Sequence, residues 1–414
     1  MNKKRIEVED LQLGMWVVEL DRPWLGTPFD FQGFPVTSPE QLQSVKGYCK
    51  YVYVDPEREE AVASPRRTAA APRDALVSIN AMPVEPEAVA ARGVYEECEK
   101  AVYSVIEDLR VEGKLDVGRL TVAAAAMTAT IQRHPDAMIL LHRLHQKSDY
   151  ELHRAMDSSI LMITFGHALQ VDQGRLEVLG LAGMLLDVGK IKIPDEVLHK
   201  TGMLTPDEYQ LMKSHVMHSV EMVRGTEGRL PSAVEEIILQ HHERQDGNGY
   251  PQGLKGRDIS TDAAIAAIVD NFSALTSERC FAEPMSPSSA LNQLHNMRGQ
   301  SFQEGLVEQF IQCIGIYPVG SAVELNTGEI GIVVTQNPER RLQPSVMLVL
   351  DRNRKRLPQP QLILDLAKAP KTNSGDPYRI RDALAIQKLP IDPAECFPAW
   401  LRQDPGGASN AGHQ

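Results

Sequence analysis

The sequence predicts a multidomain, mainly α protein: an all-helical central domain flanked by a small N-terminal β-rich domain and a short C-terminal β unit. Three observations lead there. Tyr150 to Ile316 carries apolar residues at helical spacing, with Pro and Gly marking the joints. Near the N-terminus, Val17-Val18-Glu19-Leu20 and Tyr51-Val52-Tyr53-Val54 are short β-prone runs set between turn-rich stretches. After Tyr317-Pro318-Val319-Gly320 the period changes to that of strands.

In chain order, residues 1–55 read as the β-rich unit, with Pro23-Trp24-Leu25-Gly26 as a turn. Residues 56–87 are rich in Ala, Pro, Arg and Glu without apolar periodicity, and read as a flexible linker. Residues 88–147 read as a helical connector. Val94, Cys98, Ala101, Val105 and Leu109 recur at three- and four-residue steps, and Ala123 to Leu144 is rich in Ala, Met, Ile and Leu. These helices either pack on the main domain or pair with a second copy as a homodimer. Residues 148–316 form the main helical domain. The Met-rich stretch Met156 to Met162 reads as core rather than as a set of ligands. In residues 317–370, Ala322–Leu325, Ile330–Val334 and Val346–Leu350 read as strands, completed by Gln361 to Leu366. Residues 371–414 read as a partly disordered tail.

Composition narrows the function. The chain has 414 residues, 43% hydrophobic and 24% charged, with no apolar run long enough to span a bilayer. The N-terminal segment MNKKRIEVEDLQLG lacks the apolar core of a signal peptide. The five cysteines are scattered and form no CxxC pair, so a disulfide framework or a cysteine zinc site is not expected, and a cytoplasmic location is. A formal charge of −12 argues against a DNA or RNA partner, while leaving room for a small anionic nucleotide held by local Lys and Arg.

The chemistry concentrates in His241-His242-Glu243 followed by Asp246-Gly247-Asn248-Gly249-Tyr250-Pro251. Imidazole is the commonest protein ligand for a transition metal near neutral pH. Neighbouring residues on a helix point about 100° apart, so both rings converge on one ion only near a helix end. The glycine-rich turn after them supplies that end.

The stretch ILQHHERQDGNGYPQGL (238–254) resembles the signature of the HD-GYP family, bacterial metal-dependent phosphodiesterases that open cyclic-di-GMP. LLDVGKIKIPDEVLHKTGMLTPDEYQLMKSH (185–215) and AAIVDNFSALTSER (266–279) resemble further family segments, in the family's order. Residues 5–55 resemble the uncharacterised domain that often precedes it. The resemblance implies an HD-type helical domain and a divalent transition metal, with iron or manganese favoured and zinc as an alternative. It assigns Asp187, His215, His241, His242 and Asp270 as metal ligands, Asp187 and Lys190 as catalytic, Lys190 and Arg279 as substrate-binding, and Gly249, Tyr250 and Pro251 as the GYP turn.

The departures from the family pattern fall on the site. Two first-ion histidines are replaced, by Arg154 and by Leu186. An expected aspartate is Ser273, and an expected basic residue is Ala282. One ion per site is therefore expected rather than two or three. The Arg154 guanidinium is read as standing in the vacant cation's place, against Asp270 or a substrate phosphate. A one-residue register shift that would offer His153 instead conflicts with the rotation per helical residue. Leu186 shares a helical stripe with Leu179 and Gly183 and extends the apolar core. Blander readings stand beside these. His215 alone is an ordinary helical histidine, Asp270 is either a ligand or a buried carboxylate paired with Arg, and Lys190 and Arg279 are either phosphate-binding or salt-bridge partners. His142, His145, His167, His199, His218 and His295 match no ligand position. The expected function is a cyclic-di-GMP phosphodiesterase homologue with slow or no hydrolysis. The alternative is a non-catalytic scaffold that binds cyclic-di-GMP or a GGDEF-domain protein.

Overall fold

A computed structural model describes residues 3–21, 34–36, 39–59, 76–78, 85–145, 150–226, 230–277, 283–337, 340–358, 361–372 and 374–397. The N-terminal unit contains β1 (Lys4–Glu7), β2 (Met15–Leu20), β3 (Phe34–Pro35), α1 (Pro39–Tyr48) and β4 (Tyr51–Glu59). Its strands form a four-stranded sheet in the order β1-β4-β2-β3. Val17, Leu20, Val45, Val52 and Val54 are buried in a core of its own. The turn read at Pro23 to Gly26 lies outside the described residues.

Within the stretch read as a linker, β5 (Leu76–Ser78) pairs with a strand of the C-terminal sheet, register Val77 to Ile363. The connector then folds as α2 (Glu85–Glu112), α3 (Val117–Arg133) and α4 (Pro135–Leu144). Tyr95, Cys98, Val102 and Val105 of α2 are buried in the same core as Met127 and Ile131 of α3 and Leu140 and Leu141 of α4. The connector therefore packs on the main domain, through the apolar stripe its spacing requires.

The main domain continues with α5 (Tyr150–Ala168), α6 (Gln173–Leu185), α7 (Asp195–Leu198), α8 (Pro206–Lys213), α9 (His215–Arg224), α10 (Ser232–Gln240), α11 (Thr261–Thr276), α12 (Pro287–Met297) and α13 (Glu304–Ile314). Helix α5 is buried nearly all round, from Met156 to Gly166, which places the Met-rich stretch in the core. Gly183 of α6 lies so close to α5 that a Cβ there would meet the Ser159 backbone at 2.7 Å. That close approach fixes the helix ends that carry the site.

The C-terminal unit is β6 (Ala322–Leu325), β7 (Ile330–Thr335), β8 (Ser345–Leu350), β9 (Leu362–Asp365) and β10 (Ile380–Leu384). These join β5 in a six-stranded sheet, order β10-β6-β7-β8-β9-β5. Strands β7 and β8 are apolar on both faces. Ile330, Ile332, Val334, Met347 and Val349 pack into the helical core, whereas Val333, Val346 and Leu348 face a separate cluster with Leu364. Successive side chains of a strand point to opposite faces, so a run without alternation is a strand covered on both sides. The unit is thus a wall of the main domain. The stretch read as a tail supplies β10, and Cys396 and Phe397 are fully buried. Apolar side chains at its far end anchor it. The architecture is mainly α and multidomain. Among the described residues no helix is long and apolar enough to cross a membrane.

Candidate metal centre

The ligand atoms of Asp187, His215, His241 and His242 lie within 4.8 Å of one another. Local geometry delivers each of them. Asp187 follows the last residues of α6, where the chain leaves helical geometry for a 3-10 turn. Gly189 in that turn is pressed against α9, so that a Cβ would sit 2.1 Å from the His215 carbonyl oxygen. Ser219 Oγ accepts from Gly189 N at 2.8 Å and donates to the Leu186 carbonyl at 3.1 Å. These contacts hold Asp187 against His215 at the start of α9, with Nε2 to Oδ1 at 3.4 Å.

His241 caps α10, and His242 falls in the turn beyond. As spacing required, the pair converges only because the helix ends there. Nδ1 of His215 and of His241 each meets a backbone carbonyl at 2.7 Å, from Met212 and Ile238. A carbonyl can only accept, so each Nδ1 carries the proton and each Nε2 presents a lone pair. Both Nε2 atoms and Asp187 Oδ1 are buried with no hydrogen-bond partner among the described residues. Orphaned buried acceptors are costly, and a cation between them would satisfy all three. Burial, first of all, lowers the affinity of His215 for a proton, to about 4, with His241 and Lys190 acting in the same direction. Burial also lowers His242 far below its ordinary value, followed by the charges of His241 and His215. Neutral imidazoles beside an ionised carboxylate are what a divalent metal needs. The residues fit such an ion.

Glu243 is the residue the sequence reading passed over. Its buried carboxylate accepts from the backbone N–H groups of Gln252, Gly253 and Leu254 at 2.7, 3.1 and 3.0 Å. It ties the GYP turn to the His pair. Gly249 has room for no side chain, since a Cβ would lie 2.4 Å from Glu243 Cα. Tyr250, in a cis peptide with Pro251, stacks on His242 with centroids 4.6 Å apart and borders the site cavity. The signal was available: a carboxylate preceding a turn of small residues faces several unpaired N–H groups.

Beside these ligands, Arg154 is 3% exposed. Its Nη2 pairs with Asp270 and lies 3.6 Å from Asp187 Oδ2. Burial opposes charge on Asp270, but Arg154 outweighs it and keeps the carboxyl below its usual range. The same holds for Asp187, where Lys190, His215 and Arg154 together overcome burial. Lys190 Nζ donates to Asp187 Oδ2 at 2.8 Å. The guanidinium therefore sits between the carboxylates, and Asp270 stands apart from the four clustered ligands, its Oδ2 3.9 Å from His242 Nδ1. Leu186 is 1% exposed and belongs to the apolar core. Arg279 and Ala282 lie outside the described residues.

His153 points elsewhere. It stacks on His142 with centroids 4.2 Å apart. Both belong to a second buried group around Asp157, which is 1% exposed. Arg143 Nη2 and His142 Nε2 approach Asp157 Oδ1 at 3.1 and 3.4 Å, and Ser273 donates to Oδ2. An aspartate at position 273 would set two carboxylates against each other here. In this chain Ser273 is a matched partner rather than a loss.

Comparison with known proteins decides the family. An HD-domain model matches residues 126–305, flanked by a domain of unknown function at 3–120 and a KOW domain associated with HD domains at 322–373. A cyclic di-GMP phosphodiesterase of Pseudomonas aeruginosa is 32% identical over 382 residues, 89% of this chain and 90% of that protein. The chain belongs to the HD-GYP family. A cyclic di-GMP phosphodiesterase response regulator of Xanthomonas campestris is 39% identical over 35% of this chain and 38% of its own length. Among solved structures, an HD-GYP-type protein from Bdellovibrio bacteriovorus aligns at 15% identity over 75% of this chain and 98% of its own, TM-score 0.45. The HD match begins inside α3, earlier than the residue-148 boundary read from the sequence. Helices α3 and α5 both pack on α6, so they belong to one helical body.

Proposed function

We propose that this HD-GYP chain binds cyclic di-GMP at a site built for one divalent ion, and that it hydrolyses the ligand slowly or not at all. The reading is carried by Arg154, buried between Asp187 and Asp270. Asp187, His215, His241 and His242 would hold the ion. When bound, such an ion polarises a phosphodiester and lowers the pKa of water toward about 7 in favourable cases. The protein's own residues set the rest. Lys190 and Arg154 place fixed positive charge at the Asp187 end of the cavity, where a phosphate would lie. Arg154 Nε is buried with no hydrogen-bond partner among the described residues. Tyr250 stacks on His242 and restrains that ring.

Arg154 neutralises charge but offers no lone pair and no open coordination position, so it replaces only the electrostatic part of a second ion's work. Losing a second ion removes several kcal/mol of transition-state stabilisation, where each ~1.4 kcal/mol is tenfold in rate. Metal counting by elemental analysis, together with cyclic di-GMP turnover on the manganese-loaded protein, tests the reading. About one ion per chain with slow or absent turnover supports it. Two ions with rapid turnover refute it.

A second reading, a scaffold for a GGDEF-domain protein, is favoured by one observation. Lys213 lies over both the Tyr209 and Tyr250 rings, at 4.5 and 5.1 Å, and Tyr209 and Leu211 beside it are 47% and 39% exposed. Pull-down of a purified GGDEF domain that fails on Tyr209→Ser would support that use.

A further inference from the structure

The metal centre opens into a cavity of about 860 Å³ that runs along α5 and ends under the C-terminal sheet. The volume is within the range of sites that enclose small organic ligands, about 300–1,000 Å³. Its ends present different groups. The near end carries Lys190 and Arg154, paired with Asp187 and Asp270. The far end carries a carboxylate, Asp136, in the first turn of α4, and the wall also holds Arg143, which is paired with Asp157.

Asp136 Oδ2 accepts from the backbone N–H of Gln336 at 3.0 Å, and Oδ1 has no hydrogen bond among the described residues. No Lys or Arg pairs with Asp136 among them. Burial raises its pKa above the ordinary carboxylate value, with Gln336 opposing. Thr164 and Ser277, each 6% exposed, line the same space, and their hydroxyl oxygens are buried with no hydrogen-bond partner among the described residues. Cys313 lies beside Thr164 and Asp136. Its thiol donates to the Thr164 carbonyl at 3.7 Å. It is pushed up to about 12 by burial and then by the Asp136 charge. Apolar side chains, Ile139, Leu161 and Ile314 among them, supply the remaining wall.

Such a chamber is mostly apolar with a few convergent polar groups, the pattern of a small-ligand subsite. An unpaired carboxylate in it repels phosphate and accepts from N–H donors. A neutral flat ring with N–H groups on its edge meets both demands. Guanine offers N1–H and N2–H side by side, whereas adenine places a lone pair at N1 beside a single amino group.

We propose that the chamber at Asp136, Thr164 and Ser277, roofed by the C-terminal β unit, is the subsite for a guanine base of the cyclic dinucleotide and discriminates guanine from adenine. The proposal rests on the cyclic di-GMP reading above and gives the C-terminal unit a part in ligand choice. The roof is held in place. Gln336 donates its side-chain amide to the Tyr317 carbonyl, and Gly320 packs on Arg143 so closely that a Cβ would lie 2.6 Å from Arg143 Cβ.

The test is equilibrium binding to the full-length, manganese-loaded protein. The ligands are phosphorothioate analogues of cyclic di-GMP and cyclic di-AMP, which resist hydrolysis. Wild type should prefer the guanine ligand by about tenfold to a hundredfold, the discrimination expected of one good bidentate pair. Asp136→Asn turns an N–H donor toward the chamber. It should weaken the guanine ligand by a similar factor and bind the adenine ligand equally or better. Thr164→Val, which nearly preserves shape, should weaken the guanine ligand while metal content stays the same. A purely structural role for Asp136 would weaken both ligands alike, and that outcome, or an unchanged preference, overturns the subsite. If wild type binds the guanine ligand and the variants bind it as tightly, only the subsite falls. If wild type binds neither ligand, the cyclic di-GMP reading falls and the subsite with it.

Discussion

Replacing Arg154 with methionine removes the guanidinium and keeps most of the aliphatic stem. Arg154 and Asp270 are 3% and 6% exposed, so the change leaves an unpaired carboxylate in the interior. Breaking a buried pair in this way costs about 3–5 kcal/mol. Asp270 can escape part of that cost by taking a proton, which puts the expected loss at the lower end. For a domain of this size, each kcal/mol moves the midpoint by roughly 2–4 °C. Metal-free Arg154→Met should therefore melt about 6–12 °C below wild type. The variant also frees oxygens of Asp187 and Asp270 to ligate a second ion. Manganese at about a hundred times its Kd would return about 2.7 kcal/mol, most of what was lost. Calorimetric scans with and without manganese, paired with elemental analysis, read both effects. Wild type should gain stability only through its first ion, and the variant through that ion and a second. If metal-free Arg154→Met melts within about 2 °C of wild type, Arg154 is not the counter-charge of these carboxylates. The same conclusion follows if its metal count never exceeds that of wild type.

Four further outcomes are expected. Gly189→Ala drives a Cβ into the His215 carbonyl, which a Cβ would approach to 2.1 Å, and should lower metal content sharply when measured by elemental analysis. Replacing Arg154 and Leu186 together with histidine should raise the count from about one ion toward two and increase cyclic di-GMP turnover. A folded double variant that binds two ions and hydrolyses nothing would move the cause of inactivity to the substrate pocket. Asp157→Asn leaves Arg143 without its counter-charge and should cost about 3–5 kcal/mol in denaturant melts. Arg143 and His142 overcome burial and hold Asp157 far below its unfolded value of about 3.9, so this advantage of wild type is complete above about pH 5 and shrinks as the pH falls below about 4. Glu243→Gln swaps one acceptor oxygen for a donor facing the Gln252–Leu254 amides, and should loosen the GYP turn, seen as faster amide hydrogen exchange there.

The helical body and the coming together of Asp187, His215, His241 and His242 were legible in the sequence, from apolar period and from the family pattern. Apolar period marks α5 and α11, and His241, His242 and the turn after them sit side by side in the chain. Glu243 was legible in principle and missed, since its three amide partners lie only 9 to 11 residues ahead. The Asp157 network was not legible. Ser273 meets Asp157 across 116 residues, and no period or motif connects positions so distant. Arg154 meets Asp270 across the same separation, and that pairing was one of the two readings offered, through the family pattern rather than through any local trace. A sequence pattern can show that an expected residue is absent, but only the fold shows what stands opposite it. Position 273 makes the distinction plain, because the serine there is complementary to a buried carboxylate on the neighbouring helix. The C-terminal strands were recognised, and the apolar residues on both faces of β7 and β8 show why each face is covered.

Arg154 also answers a question that the missing histidines raise by themselves. Asp270 is buried and Asp187 beside it half-buried, and carboxylates so placed repel each other where the dielectric is low. A site that lost ligands and gained nothing would have to protonate one acid, open to water, or unfold locally. An always-charged, planar guanidinium with several donors can face both acids at once. The protein can therefore keep its acids ionised and its helix ends in place with no second ion bound. On the one-ion reading proposed above, shape and charge at the cavity's near end are preserved while the means of activating water there is reduced. That combination suits ligand recognition better than turnover, and it is the physical reason for expecting binding of the cyclic dinucleotide to outlast its hydrolysis in this chain.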